Sequence, residues 1–583
     1  MAKEIQVGHG ARALVTDVLI IGGSVAALRA ALAAREKGVA VLLACRGRLG
    51  RGGNAAVSSG GIGAAVSPDD EAVLAADMIR AGCGINDPAL VARFVAESGR
   101  RVFELRRYGV DFATVAGGEL DRVRVPGHST ARSLRAVHGE TRNSGLALTV
   151  PLAEAARAAG AEVLEYATAV QLLVDDGRVA GCLLHLRDGD ELLPVLARAT
   201  ILATGGGAYL WRQTNGTSDV TGDGIGMGLL AGALARDLEF VQFHPTRSVT
   251  PVEVLVSDSL TGDGAVLRNR YGEAFMARYH PDGDRAPRTT RSCAIIAEIQ
   301  QGNGVEGGVY LDASAVPPER INARYSRLQR LLGSRGVKFP EEWIIVKPAA
   351  HFLMGGLVID DHARTTVPGL LAAGECTGGL HGADRLGSMA LAEAVVFGAI
   401  AGETAVEEMA PAAPATPAAL DAWRAAVAGR GTGLVGGAAA HNGAAPGEAA
   451  TAALTELAAE LRQRVDLDLA PLRNGEALSA LDAWLRGADG RLQELLSQPL
   501  PVAERARALG LRASVAAAWA IARAASQRTE SRGSHQRAEF PDTKPEWEGS
   551  LFVGMPAGVP EPRFVPKGGG SGAQAAPVDA SGK

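Results

Sequence analysis

After Asp17, Val18–Ile21 is an unbroken apolar run that ends in Gly22-Gly23. It continues into the alanine-rich stretch Ser24–Lys37, and after Gly38 comes a second apolar run ending at Ala44. Strand, helix and strand in that order form a βαβ unit, so the chain opens a parallel sheet with a right-handed crossover. The turn places Gly22, Ser24 and Ala27 at the three positions of a G-x-G-x-x-G dinucleotide fingerprint. A first glycine permits the tight turn, and small residues such as Ser24, Ala26 and Ala27 let a pyrophosphate and the sheet approach the helix. Taken alone, the turn fits an ordinary tight β–α connection equally well. The acidic ribose partner expected roughly 20 residues on is absent, since Cys45 stands there.

Three further segments strengthen the dinucleotide reading. Arg51–Gly63 is a glycine-flanked polar stretch containing Asn54 and Gly61. Ala203-Thr-Gly205-Gly-Gly207 precedes Thr221-Gly-Asp223-Gly. Gly374-Glu375 leads to Gly382-Ala-Asp-Arg385-Leu-Gly-Ser388-Met-Ala-Leu391. Gly makes up 74 of the 583 residues, and it clusters in these segments. Together they supply unhindered backbone N–H groups and two carboxylates, Asp223 and Glu375. One long cofactor with a pyrophosphate and a ribityl chain would use them all.

The rest of the composition excludes several classes. A net charge of −5 argues against a nucleic-acid binder. A hydrophobic share of 47% with 21% charged residues belongs to a chain that folds. The five cysteines, Cys45, Cys83, Cys182, Cys293 and Cys376, are far apart. They form neither a disulfide framework nor an iron–sulfur or zinc pattern, so no metal site is expected. A reducing, cytoplasmic setting is the default. Met1–Thr16 does not read as a secretory signal. The nearest candidate for a membrane span, Met389–Gly402, is too short and carries Glu393.

Helices are expected over Glu71–Gly82, with Ser67 as cap and Pro68 opening the turn, and over Pro88–Tyr108. Residues 160–203 read as short strands, and about 247–349 as a less patterned insert. Met409–Pro417 reads as a linker, and residues 418–429, 446–466 and 502–526 have helical composition. From about Gly568 the chain is Gly/Ser/Ala-rich and reads as a tail.

These motifs resemble the flavoprotein subunit of the succinate dehydrogenase/fumarate reductase family, which includes L-aspartate oxidase. The matching stretches are Ala203-Thr-Gly-Gly, Thr221-Gly-Asp-Gly, Glu239–Thr246 around His244, Ala286-Pro-Arg288, His351–Gly356, Ala373–Cys376, Arg385–Ser388 and Arg528–Arg537. The resemblance covers about residues 15–550. It implies an α/β fold: a two-part FAD-binding Rossmann-like domain, an inserted α+β capping domain and a C-terminal helical domain. The implied boundaries are 1–246 and 351–408 for the FAD-binding domain and 247–350 for the cap. Residues 409–550 would be linker and helical domain, and 551–583 a flexible tail.

The resemblance also implies roles. FAD contacts fall on Gly22, Ser24, Ala26, Cys45, Asn54, Gly61, Gly205, Asp223, Glu375, Arg385, Ser388 and Leu391. Several family members have a small residue where Cys45 stands. Asn54 occupies the position at which membrane-bound members attach FAD through a His, so non-covalent FAD is expected. His351 and Arg385 match the clamp for a substrate carboxylate, His244 a further substrate donor, and Arg288 the proton-transferring arginine. A planar guanidinium suits bidentate carboxylate binding. The family's proton-feeding Glu-x-x-Arg reads Asp258-Ser-Leu-Thr261 here. Asp258 can replace the Glu with a shorter reach, but Thr261 lacks the charge. The substrate-selecting acid of aspartate oxidase aligns with Val125 or Pro126, and Asp384 adds an acid beside Arg385 where the family mostly has Asn.

The expectation is an FAD-dependent oxidoreductase acting on a small carboxylate, with a C4 dicarboxylate first. The alternatives are a same-fold enzyme for another acid such as L-aspartate, or an electron-transferring subunit with altered substrate chemistry. An iron–sulfur or other electron-transfer subunit is the expected partner, with membrane contact at its inner face only through other subunits.

Overall fold

The computed structural model describes residues 2–6, 12–125, 127–139, 141–142, 144–411 and 446–567. The linker beyond 411, the helix expected over 418–429, Pro126 and the stretch from 568 on lie outside the described residues.

The opening βαβ unit is present. Arg12–Ile21 pairs in parallel with Val41–Cys45 on one side and with Glu191–Leu202 on the other. The main sheet runs in the order Glu162–Glu165, Val41–Cys45, Arg12–Ile21, Glu191–Leu202, Arg178–Leu186, Ala167–Asp175. Leu370–Ala372 also joins Glu191–Leu202 in parallel, which brings the chain back to the opening sheet after the insert. Val18, Leu19 and Ile20 are wholly buried, as a central parallel strand covered on both faces must be.

Helix Val25–Glu36 packs against helix Met389–Glu408. Two glycines set how close they come: a Cβ on Gly398 would lie 2.6 Å from the Ala26 carbonyl oxygen, and one on Gly402 only 2.3 Å from that of Ala30. The membrane candidate is therefore longer than the sequence implied. It is a 20-residue helix, long and apolar enough to cross a membrane, and it is mostly buried inside the protein. Glu393, the charge that interrupts it, is buried and bonds His381 at 3.0 Å.

The early helices start where punctuation predicts but differ at their ends. The first runs from Pro68 to Ala81, three residues earlier than expected, and the Ser67 side chain makes no capping bond. The second runs from Pro88 to Glu104, capped by the Asp87 carboxylate, which accepts from Ala89 N at 3.0 Å. Leu105–Tyr108 is a tighter 3₁₀ turn that stops at Gly109, whose φ of 83° is left-handed.

The insert is more regular than its sequence suggested. Val241–Thr250, Ile344–Leu353, Val309–Asp312 and Val266–Arg268 form an antiparallel sheet, in that order, with helix Arg288–Gln300 packed against it. This unit has its own core, including Val256, Leu260, Phe275, Ile295 and Leu311. Its two long strands start before residue 247 and end after 350, so the boundaries fall inside strands that span both units.

The C-terminal unit holds helices Pro446–Asp468, Gly475–Leu496 and Val502–Gln527. The middle one was not expected. The stretch 551–583 is also not all tail, because Gly549–Gly554 and Glu561–Pro566 form a hairpin that pairs with Ala235–Arg236.

Candidate functional site

Most of the residues expected to touch a cofactor are assembled from distant segments. Ser24 begins helix Val25–Glu36, and a Cβ on Gly53 would lie 3.3 Å from the Ser24 Cβ. Asn54 donates to Glu375 Oε2 at 3.2 Å and accepts from the Thr217 N–H at 3.0 Å. A Cβ on Gly206 would meet Glu375 at 2.3 Å. Ala26 faces Gly374, and Gly61 faces Ser388, whose hydroxyl also bonds Ser133 at 2.7 Å. Cys45 lies under the Gly22-Gly23 turn, where a Gly23 Cβ would come 2.7 Å from the Cys45 Cβ. Burial pushes the Cys45 thiol up to about 12, so it is a neutral, small wall. Gly205 takes the left-handed φ of 76° in the loop after strand Glu191–Leu202, beside Val220. Leu391 is buried in the first turn of helix Met389–Glu408.

Asp223, the first residue of helix Asp223–Leu230, is paired with Arg46. Arg46, Thr221 and Asp223 line a cavity of about 270 Å³ together with Thr168 and His185. Ser24 Oγ and Thr204 Oγ1 are buried without a hydrogen-bond partner. Orphaned hydroxyls at a helix N-terminus and at a strand end, among glycines, fit a phosphate-bearing cofactor. The buried Glu375 carboxyl is pushed up to about 7 by loss of water.

The second cluster lies where the insert meets the FAD-binding unit. His244 comes from strand Val241–Thr250 and His351 from its antiparallel neighbour Ile344–Leu353. Their rings are 6.0 Å apart at 74°. Arg385 Nη2 lies 3.4 Å from His351 Nε2 and donates to Gln242 Oε1 at 2.9 Å. The Asn215 amide faces His351 Nδ1, its nitrogen at 2.9 Å and its oxygen at 3.1 Å. With the amide nitrogen donating to Nδ1, the single proton of the neutral ring sits on Nε2, which can then donate to an anion. Burial, and Arg385 after it, hold His351 neutral, well below the ordinary histidine range. Burial likewise brings His244 down to about 4, Asp258 opposing.

Arg385 stacks on Phe352 with its guanidinium 4.4 Å from the ring centre, and its Nε is buried with no partner. Loss of water, then the nearby Arg288 charge, lowers it to about 10. Asp384, its neighbour in sequence, accepts from Gln242 Nε2 at 2.6 Å. Gln242 therefore bridges the acid and the guanidinium.

Arg288 opens helix Arg288–Gln300 and is hydrogen-bonded through Nε to Asp258. Asp258 Oδ2 is 3.5 Å from His244 Nε2. Burial works to raise the Asp258 carboxyl, but His244, Arg288 and Arg291 outweigh it and hold Asp258 far below the usual range. A cavity of about 370 Å³, lined by Pro287, Thr289, Thr290, Cys293, Asp384 and Gln536 among others, flanks this cluster.

Sequence reasoning missed four participants. Gln242 and Asn215 orient Arg385 and His351, and Arg46 covers Asp223. The fourth is Arg291, which donates to Asp258 Oδ1 at 3.0 Å and to Thr261 Oγ1 at 2.9 Å. Its spacing of three from Arg288 on a helix was the available signal.

Comparison with known proteins settles the family. Residues 17–391 match the model of an FAD binding domain, and 459–550 that of a fumarate reductase flavoprotein C-terminal domain. The chain belongs to the succinate dehydrogenase/fumarate reductase flavoprotein family. It is therefore an FAD-dependent oxidoreductase. It is 34% identical to one of the subunits of the fumarate reductase (CoM/CoB) of Methanothermobacter marburgensis, over 94% of this chain and 98% of that one. It is 36% identical to the L-aspartate oxidase of Caulobacter vibrioides, over 90% and 94%. Among solved structures, E. coli quinol fumarate reductase FrdA superposes with a TM-score of 0.81 at 26% identity, covering 95% of this chain and 96% of the other. The family's α/β FAD-binding fold with a C-terminal helical domain is the fold observed here.

Proposed function

We propose that this flavoprotein interconverts a saturated and an unsaturated C4 dicarboxylate, as fumarate reductases do. The observation that carries the reading is one continuous line of side chains: Gln242, Arg385, His351, His244, Asp258 and Arg288. It puts cationic or neutral donors at one end and an arginine–carboxylate pair at the other. Arg385 and His351 would hold one carboxylate, with Arg385 giving two parallel bonds. Neutral His244 would donate to the substrate without adding charge. Arg288 would deliver the proton to the substrate carbon, and Asp258 would restore it. Enclosure strengthens each of these interactions.

FAD, when bound, supplies the hydride chemistry. We propose that Ser24, Ala26, Asn54, Gly61, Asp223, Glu375, Ser388 and their neighbours hold it. Asn54 offers no imidazole, so the attachment is non-covalent. The cysteine spacing provides no iron–sulfur ligands, so electrons would pass through an iron–sulfur or other electron-transfer subunit. The methanogen relative supports this, because its name describes one chain of a larger enzyme. Any membrane contact, at a cytoplasmic face, would come through such subunits.

A second reading has its own support. Asp384 lines the flanking cavity beside Arg385, and a carboxylate there suits a substrate ammonium, as in L-aspartate.

The test is anaerobic. Flavin reduced in the purified protein should regain its oxidised absorbance when fumarate is added. No recovery with fully bound, reducible flavin overturns the dicarboxylate reading. Bleaching of oxidised flavin by L-aspartate instead would establish the second one.

A further inference from the structure

Thr261 and Arg291 occupy one buried space. The loop that carries Asp258 should offer a second guanidinium one turn later, but Thr261 stands there, buried and uncharged. The Arg291 side chain enters from helix Arg288–Gln300 and fills the room this short side chain leaves. Its Nη1 donates to Thr261 Oγ1 at 2.9 Å, its Nη2 to Asp258 Oδ1 at 3.0 Å and its Nε to the Ala286 carbonyl at 3.0 Å. Three fixed bonds leave it a single orientation. Arg288 and Arg291 are one helical turn apart and carry like charges, which repel unless a carboxylate lies between them. Asp258 lies there, bonded to both.

We infer that Arg291 supplies the second guanidinium of the proton path to Arg288, reaching Asp258 from the cap helix instead of from the loop that carries Thr261. The inference rests on the proposed roles of Arg288 and Asp258. In the direction of reduction, the hydride goes to one olefinic carbon and the Arg288 proton to the other. Neutral Arg288 regains a proton from Asp258 as Asp258 takes one from Arg291, and solvent recharges Arg291. One proton is taken up per double bond reduced. Burial, with the Arg288 charge, pulls Arg291 below its ordinary range, which makes it a better donor. Half-buried Asp284 lies within its field.

Arg291 is a positioning and relay residue, so its test must separate relay from scaffold. In FAD-loaded protein, Arg291→Thr should slow single-turnover reoxidation by fumarate by about 10²-fold or more. Flavin content and the fumarate concentration at half-saturation should stay near wild type. The exchange Thr261→Arg with Arg291→Thr returns the guanidinium to the loop and should recover most of the lost rate. Arg291→Lys keeps the charge without the fork and should fall between the two. Infrared titration of the Asp258 carboxyl, assigned by difference against Asp258→Asn, gives a readout without turnover. The band should protonate at higher pH in Arg291→Thr than in wild type. An unchanged rate in Arg291→Thr, or an exchange variant no faster than it, overturns the inference. A wild-type protein inert to fumarate would instead overturn the proposed substrate. The infrared comparison would then decide the Arg291 role, an unmoved band refuting it.

Discussion

Replacing Arg385 tests the carboxylate clamp most directly. In the structure its Nη2 donates to Gln242 Oε1 at 2.9 Å and lies 3.4 Å from His351 Nε2, and Nε is buried and unpaired. Nε–H and the second Nη2 hydrogen lie along one edge of the guanidinium, and that edge is the fork a substrate carboxylate would take up. Arg385→Lys keeps a positive charge but offers a point instead of a fork. It forfeits about one charge-assisted bond, or about 1.5–3 kcal/mol. Part of the stacking on Phe352 goes too, adding about 0.5–1 kcal/mol. At about 1.4 kcal/mol per factor of ten, kcat/KM for fumarate should fall between about 30-fold and 10³-fold. Arg385→Leu removes the charge as well and should lose at least a further factor of about ten. Steady-state kinetics with a reduced dye, on samples matched for FAD content, provide the measurement. Matching is needed because Arg385 also stands among the proposed FAD contacts. A lysine variant within threefold of wild type, at equal flavin occupancy, would refute the placement of the carboxylate on Arg385.

Four further outcomes follow. Gly402→Ala pushes a Cβ to 2.3 Å from the Ala30 carbonyl oxygen and should destabilise by about 1–3 kcal/mol. Gly487→Ala, on an exposed helix face with nothing within 4 Å, should stabilise by about 0.5–1 kcal/mol. Chemical denaturation of the two variants checks the pair. His244 is held down to about 4 from 6.5 by burial, so between those values the unfolded chain binds the proton and the folded one does not. Stability should therefore fall as pH drops from about 6.5 toward 4, by on the order of 3 kcal/mol from this group. His244→Gln should flatten that slope in melts taken across the range. Acid precipitation should leave all of the flavin in the supernatant, and colour retained in the pellet would refute non-covalent attachment.

The fold was legible where periodicity and punctuation agree. The opening βαβ unit, Pro68 and Pro88 at helix starts and the helix up to Gln527 could all be read from local residue types. The helix Gly475–Leu496 could have been read as well. Asn474 caps it by accepting from Ala477 N at 2.8 Å. Leu478, Leu481, Leu485 and Leu492 recur at helical spacing and are buried. Two exposed glycines inside it, Gly487 and Gly490, obscured the pattern. The hairpin Gly549–Pro566 was harder, because its outer strand carries two prolines and its place in the sheet comes from pairing with Ala235–Arg236, more than 300 residues away. The insert looked unpatterned because Val266–Arg268 and Val309–Asp312 are short and its two long strands are shared with the neighbouring unit.

Reading the site by alignment to a motif finds residues that keep their place in the chain and loses those that keep only their place in space. His244, Arg288, His351 and Arg385 kept both, and the structure gathers them. At residue 261 the two diverge. Counted along the chain, the proposed relay lacks a charge. Counted in space, a guanidinium is at hand, because Arg291 ends 3.0 Å from the same carboxylate. What proton transfer requires is a donor at a distance from Asp258, not an arginine at a given number. Thr261 is thus better understood together with Arg291: the small residue leaves room, the large one fills it, and neither is interpretable alone. Such pairs couple energetically only when in contact, so the exchange variant should recover far more activity than the two single changes would add up to.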